Sequence, residues 1–88
     1  MRIEVQHSFE KDIASISNKE IAIKVIEIIK RLEDCRTLSE IAHLKKIKGA
    51  NNYYRIRVGN YRLGLKANKD TLILLRLMDR KDIYNYFP

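Results

Sequence analysis

The chain has 88 residues, with 18 Lys or Arg against 11 Asp or Glu and a formal net charge of +7. That length allows one domain, 1–88, with a single core of helices on a sheet. It leaves little room for a membrane-spanning helix, because the most apolar run, Thr71–Met78, is short and interrupted by Arg76.

Arg2–Gln6 alternates Ile3 and Val5 with polar residues and predicts a half-exposed strand. Ser8 offers an N-cap, and Phe9, Ile13 and Ile16 follow at helical spacing, so a short helix is expected from Phe9 to about Ile16. Ser17-Asn18 breaks it, and Asn18 can cap the next helix. That helix, Lys19–Glu33, has a stripe of Ile21, Ala22, Val25, Ile28, Ile29 and Leu32 at the helical period. Its pairs Glu20–Lys24 and Glu27–Arg31 are favourably ordered and contribute about a few tenths of a kcal/mol each. The two helices are expected to pair antiparallel across a sheet. Leu38, Ile41, Leu44 and Ile47 recur every three residues, which predicts a short helix or 3₁₀ turn with Lys45, Lys46 and Lys48 pointing outward.

Tyr53–Arg62 alternates apolar and basic residues on either side of Gly59-Asn60, a pair suited to a two-residue primed turn. Tyr54, Ile56 and Val58 share one face with Leu63 and Leu65. Arg55 and Arg57 share the other with Arg62, Gly64 and Lys66. Asn68-Lys-Asp70 is a second hairpin turn, and Thr71–Met78 is expected to be a central strand. Asp79–Pro88 closes the chain with Arg80, Lys81, Tyr84, Tyr86 and Phe87. The order β-α-α-β-β-β predicts an α+β, two-layer fold: an antiparallel sheet of about four strands, a helical pair on one face, and a second face partly bare.

The charge is concentrated. Between Ile41 and Lys69 there are eight Lys or Arg and no acid, while the remainder holds ten basic and eleven acidic residues. A focused positive field attracts polyanions, whether nucleic acid, an anionic membrane or an acidic protein; the reading favoured for the arginine face is RNA. Two distant histidines and one cysteine cannot close a zinc site, and three glycines form no phosphate-cradling loop, so no metal or other cofactor is expected. Cys35 reads as structural, and His7 and His43 as a surface residue and a partly buried helix residue. A single cysteine and an N-terminus without an apolar run fit the cytoplasm. What remains is basic and aromatic. Guanidinium groups fork onto phosphate and stabilise charge developing on it, and RNA carries its own 2′-hydroxyl nucleophile.

Tyr54-Arg-Ile-Arg-Val-Gly-Asn-Tyr-Arg62, preceded by Leu44-Lys-Lys-Ile-Lys-Gly49 and followed by Asp79-Arg-Lys-Asp-Ile-Tyr84, resembles the RelE/ParE superfamily of toxins from type II toxin–antitoxin systems. Phe9-Glu-Lys-Asp-Ile13 also fits, so the resemblance spans nearly the whole chain. It implies a microbial-ribonuclease-like fold and a ribosome-dependent mRNA endonuclease that inhibits translation, the 2′-hydroxyl attacking the scissile phosphate. The alternatives within the superfamily are a ParE-like inhibitor of DNA gyrase and a catalytically inactive member. The resemblance implies phosphate and ribosomal RNA binding for Arg55 and Arg57, transition-state stabilisation for Arg62 and Arg80, and a base or stacking role for Tyr84. Lys45, Lys46, Lys48 and Lys66 would add contacts to RNA. It also implies a cognate antitoxin with an acidic or apolar disorder-prone segment, expected to cover the basic face or displace the C-terminal segment, and DNA contact only through that complex. Two positions depart from the pattern. Asp79 stands where many relatives carry histidine, and Leu65 where tyrosine is frequent, which leaves the general base unassigned.

Overall fold

A computed structural model describes residues 1–88. In chain order the elements are β1 (Arg2–Val5), α1 (His7–Ala14), α2 (Lys19–Asp34), a 3₁₀ turn (Leu38–Glu40), β2 (Leu44–Lys46), β3 (Tyr53–Val58), β4 (Tyr61–Asn68), β5 (Thr71–Asp79) and α3 (Arg80–Tyr86). The fold is α+β, as the sequence predicts, but the sheet has five strands rather than about four and is not wholly antiparallel, and a third helix joins the expected pair. The sheet order is β1-β5-β4-β3-β2, in which β2 to β5 form an antiparallel meander and β1 lies parallel to β5.

The core lies between the helices and one face of the sheet. Phe9 of α1 and Ile21, Val25 and Leu32 of α2 meet Ile56, Val58, Leu63, Leu65, Leu72, Leu74 and Leu77. Each helix packs on the sheet itself: α1 lies along β5, and α2 crosses from β1 to β3. The side chain of Asn18 accepts from the backbone N–H groups of Glu20 and Ile21, which caps α2. The predicted cap of α1 is displaced. Gln6 occupies that position, and the Ser8 hydroxyl donates instead to the Leu75 carbonyl at 2.6 Å.

Strict alternation fails once, on β5. Leu65 pairs with Leu74 and Gly64 with Arg76, so Leu75 is an extra residue on the β5 side. This bulge moves the strand's parity by one, which lets Leu72, Leu74 and Leu77 all face the core. Beyond Val5, β1 no longer covers this edge of β5, and α1 takes over its polar groups. Asp12 accepts from the Leu77 N–H at 2.9 Å and holds Arg76 through Nε at 2.7 Å and Nη2 at 3.1 Å. Arg76 is therefore a paired residue, and its hydrogen bond with Asp12 strengthens its hold on its proton. Asp12→Ala is expected to lower stability by about 1–3 kcal/mol, because a backbone N–H and a guanidinium lose their acceptor in a partly buried place. Urea unfolding measures this; an unshifted midpoint would show the bridge to be inert.

The segment before β2 is fixed by a capping box. The backbone N–H groups of Arg36 and Thr37 each donate to Glu40 Oε2 at 2.8 Å, which holds the Glu40 carboxyl below its ordinary range. A carboxyl depressed on folding stabilises the fold above its unfolded-state pKa and loses that contribution as pH falls through the lower, folded value. Glu40→Gln should therefore flatten part of the acid arm of the stability–pH curve while changing it least in the acid limit. Urea midpoints measured from neutral into acidic pH test this, and parallel curves would refute it.

The expected helix through Leu44 and Ile47 ends at Glu40, and the chain then extends as β2. The threefold recurrence of apolar residues is met by a 3₁₀ turn followed by a strand. Lys45 and Lys46 consequently point to opposite faces, Lys45 paired with Arg55 and Lys46 with Tyr54, and Lys48 follows the strand. The Gly59-Asn60 turn joins Val58 to Tyr61 with positive φ at Gly59, where the primed turn needs it. No helix is long and apolar enough to cross a membrane.

Candidate functional site

The face of the sheet away from α1 and α2 gathers the cations. Register sets Lys45 beside Arg55 and Arg57 beside Arg62, so three neighbouring strands present four positive side chains together. Like charges opposite one another on a sheet destabilise it. The alternation that buries Ile56, Val58, Leu63 and Leu65 requires only that the opposite positions be polar, not that they share one sign. The concentration of charge is thus a feature of the surface's chemistry rather than of its folding.

The C-terminus supplies a wall. Sequence reasoning left Asp79–Pro88 without structure, yet Arg80–Tyr86 is a helix, and the Asp79 side chain caps it by accepting from the Lys81 N–H at 2.9 Å. Ile83 and Phe87 are buried and fasten this segment onto the second face of the sheet. Phe87 lies over Gly64, where a Cβ would come within 2.8 Å of its ring, so glycine is what admits the close approach. The Phe87 ring also meets Tyr53 edge-on at 5.7 Å. Anchored this way, α3 holds Tyr84 with 66% of its surface exposed and its ring centroid 5.0 Å from the Arg55 guanidinium carbon.

These elements enclose a cavity of about 200 Å³ lined by His43, Lys45, Arg55, Arg57, Arg62 and Tyr84. No carboxylate lines it. Arg62 is braced: its Nη1 donates to the carbonyls of Gly59 at 3.0 Å and Tyr61 at 2.9 Å, leaving its remaining N–H groups for a ligand. Five of the residues singled out in the sequence (Arg55, Arg57, Arg62, Lys45 and Tyr84) meet here. Four do not line the cavity. Arg80 opens α3, exposed, with its backbone N–H bonded to Asn60 at the hairpin turn. Lys66 lies farther along β4, its ammonium 5.4 Å from the Tyr53 ring centroid. Lys46 and Lys48 border a separate depression next to Gly49.

His43 is the residue that sequence reasoning missed. It is an exposed residue of the connection into β2, not a partly buried helix residue, and it has a positive φ of 64°. Arg57 fixes it twice, through the Arg57 N–H to the His43 carbonyl at 3.3 Å and through Arg57 Nη2 to His43 Nδ1 at 3.0 Å. The one available signal was weak: histidine is among the few side chains enriched at positive φ. Leu65, by contrast, is fully buried on the core side, so its departure from the superfamily pattern does not touch this cavity. Cys35 is structural. It is buried, its thiol donates to the Leu32 carbonyl at 3.2 Å, and burial pushes its pKa up.

A sheet packed on helices at one face and lined with cations at the other leaves an open basic surface suited to a polyanion. Residues 3–84 match the family described as the ParE toxin of type II toxin–antitoxin systems, and the chain belongs to this RelE/ParE family. It is 42% identical over 89 residues to Toxin RelE3 of Methanocaldococcus jannaschii, with all of both chains covered. Its structure is similar to the toxin of the RelB–RelE antitoxin–toxin complex from Methanococcus jannaschii, with a TM-score of 0.82 and 41% identity over 97% of this chain and 99% of that one. The archaeal RelE–RelB complex from Pyrococcus horikoshii shares the fold at a TM-score of 0.73 and 24% identity, covering 90% of this chain and 93% of that one. So does the YoeB dimer of Staphylococcus aureus, at 0.74 and 18%, over 89% and 94%.

Proposed function

We propose that this toxin is an mRNA endonuclease acting on the ribosome in the cytoplasm. The observation that carries the reading is the cavity in which Lys45, Arg55, Arg57 and Arg62 converge without a carboxylate. Such a site suits a phosphodiester, whose charge grows more negative as the 2′-hydroxyl attacks and the 5′-oxygen departs. Arg55 and Arg57 are assigned to phosphate and ribosomal RNA, and Arg62 to the transition state. Tyr84 is assigned to a base stacked on its exposed ring. Arg80, outside the cavity lining, is assigned to a neighbouring phosphate, and Lys46, Lys48 and Lys66 to the RNA backbone. The ribosome would order the message across this face, which explains why a chain of this size needs little substrate-binding surface of its own.

Under the same reading, the partner that restrains the toxin is a cognate antitoxin, as in the RelB–RelE and RelE–RelB complexes. An acidic or apolar segment that folds on binding would cover the basic face or displace α3. A footprint confined to α1 and α2 would refute that placement.

The second reading is inhibition of DNA gyrase, favoured by the ParE description of the matching family. Primer extension on an mRNA in a purified translation system separates the two, with a gyrase supercoiling assay beside it. New 3′ ends at A-site codons, dependent on ribosomes, support the endonuclease. An intact message with blocked supercoiling would move the function to gyrase, and inactivity in both assays would mark an inactive member.

A further inference from the structure

We propose that His43 is the general base of this site, held in reserve by Arg57 and released when a phosphate takes Arg57 away; the inference rests on the endonuclease reading. Among the groups lining the cavity, Lys45, Arg55, Arg57 and Arg62 are cations without a lone pair to offer, and Tyr84 is a phenol. Asp79 is no candidate, since it does not line this cavity and borders a different depression, with Asp12, Ile16 and Met78. The imidazole of His43 is the one neutral nitrogen base present.

Its geometry is defined. Arginine can only donate, so the 3.0 Å contact from Arg57 Nη2 places the lone pair on His43 Nδ1 and the ring hydrogen on Nε2. The imidazole is therefore neutral, with the basic nitrogen masked by a guanidinium. A phosphate forms charge-assisted, forked hydrogen bonds with arginine, and a neutral imidazole forms neither. A phosphodiester entering the cavity wins Arg57 and leaves Nδ1 open beside the sugar. The 2′-hydroxyl proton then passes to Nδ1 as the O2′–P bond forms and the P–O5′ bond breaks. The leaving 5′-oxygen takes a proton from water, and the imidazolium returns its proton to solvent. The products are a 2′,3′-cyclic phosphate and a 5′-hydroxyl.

The charged and titratable groups that face the ring come from five elements. Arg55 and Arg57 of β3, Lys45 of β2, Arg62 of β4 and Tyr84 of α3 share its cavity. On its other side a groove brings Lys24, Glu27 and Arg31 of α2 near it.

His43→Asn tests the proposal cleanly. Asparagine tolerates the positive φ at this position and can offer Arg57 an acceptor near the place of Nδ1, but it cannot carry the proton. Circular dichroism and urea unfolding verify that the variant folds. Single-turnover cleavage on programmed ribosomes should fall by about 10²–10⁴-fold, with half-saturation for ribosomes unchanged. The decline in rate on acidification through the range where imidazoles protonate should disappear. Cleavage by His43→Asn at the unaltered rate, with the acidic limb intact, overturns the proposal and leaves the endonuclease reading standing. No cleavage by the unaltered protein overturns both. If His43→Asn does not fold, the unaltered protein's pH profile decides: no acidic limb overturns the proposal, and a limb in the imidazole range supports it.

Discussion

Arg62→Ala is expected, on the endonuclease reading, to slow message cleavage by about 10²–10³-fold, the cost of removing one preorganised donor from a charge-stabilising site. Stability should fall by only about 1 kcal/mol, because the hydrogen bonds from Nη1 to Gly59 and Tyr61 lie at an exposed turn. Those two bonds explain why the effect on rate should be large. They fix the guanidinium without neutralising it, since their acceptors are carbonyls rather than carboxylates. The cation therefore waits in place and needs no reorganisation when charge builds on the phosphate. Arg62→Lys keeps the charge but not the fork or the brace, so its rate should fall between the other two. Primer extension under single-turnover conditions, with urea unfolding alongside, measures both quantities. Cleavage by Arg62→Ala at the unaltered rate would reduce this residue to a brace for the turn. Growth arrest by Arg62→Ala without cleavage would favour the gyrase reading.

Much of the site was legible because a strand writes its two faces in alternate letters. From Tyr54 to Lys66 the apolar positions face the core and the basic positions face away, and a glycine turn in the middle fixes the register. The long helix was equally clear, since its apolar stripe and Asn18 cap agree. Three features were not legible, for different physical reasons. The bulge at Leu75 depends on α1, whose Ser8 and Asp12 satisfy the edge of β5, and such long-range compensation leaves no local pattern. β2 is only three residues long, too short for alternation to stand out against the threefold spacing that precedes it. The helix α3 carries a cap at Asp79, but its seven residues are too few to form a stable helix alone; it exists because Ile83 and Phe87 find the sheet. His43 joins the cavity by a consequence of the same kind. Its place is set by the 3₁₀ turn, the capping box and Arg57, none of which lies in the motif that draws attention to the arginines.

Because α3 depends on so few anchors, Ile83→Ala should uncouple the C-terminal segment from the rest of the domain. Ile83 is 2% exposed, and truncating such a side chain costs about 2–5 kcal/mol. That cost falls on a short helix at the end of the chain, packed on β4 and β5 but outside the main core cluster. The segment can therefore open while the sheet and α2 stay folded. Amide exchange in Arg80–Tyr86 should rise towards that of a free chain, with β4 and β5 still protected and the global unfolding midpoint little changed. On the endonuclease reading, cleavage should fall by up to about 10²-fold, because Tyr84 no longer stands beside Arg55, where it is proposed to hold a base over the cavity. Tyr86→Ala, which alters a side chain 64% exposed on the same helix, should change neither exchange nor rate. If Ile83→Ala loosens α3 and cleavage is unaffected, then Tyr84 only covers the sheet, and the catalytic wall must be sought among His43, Arg57 and Arg62 alone. If exchange rises equally in α3 and the central strands, α3 belongs to the cooperative core, and its seven residues are as much a part of the fold as the hairpin they cover.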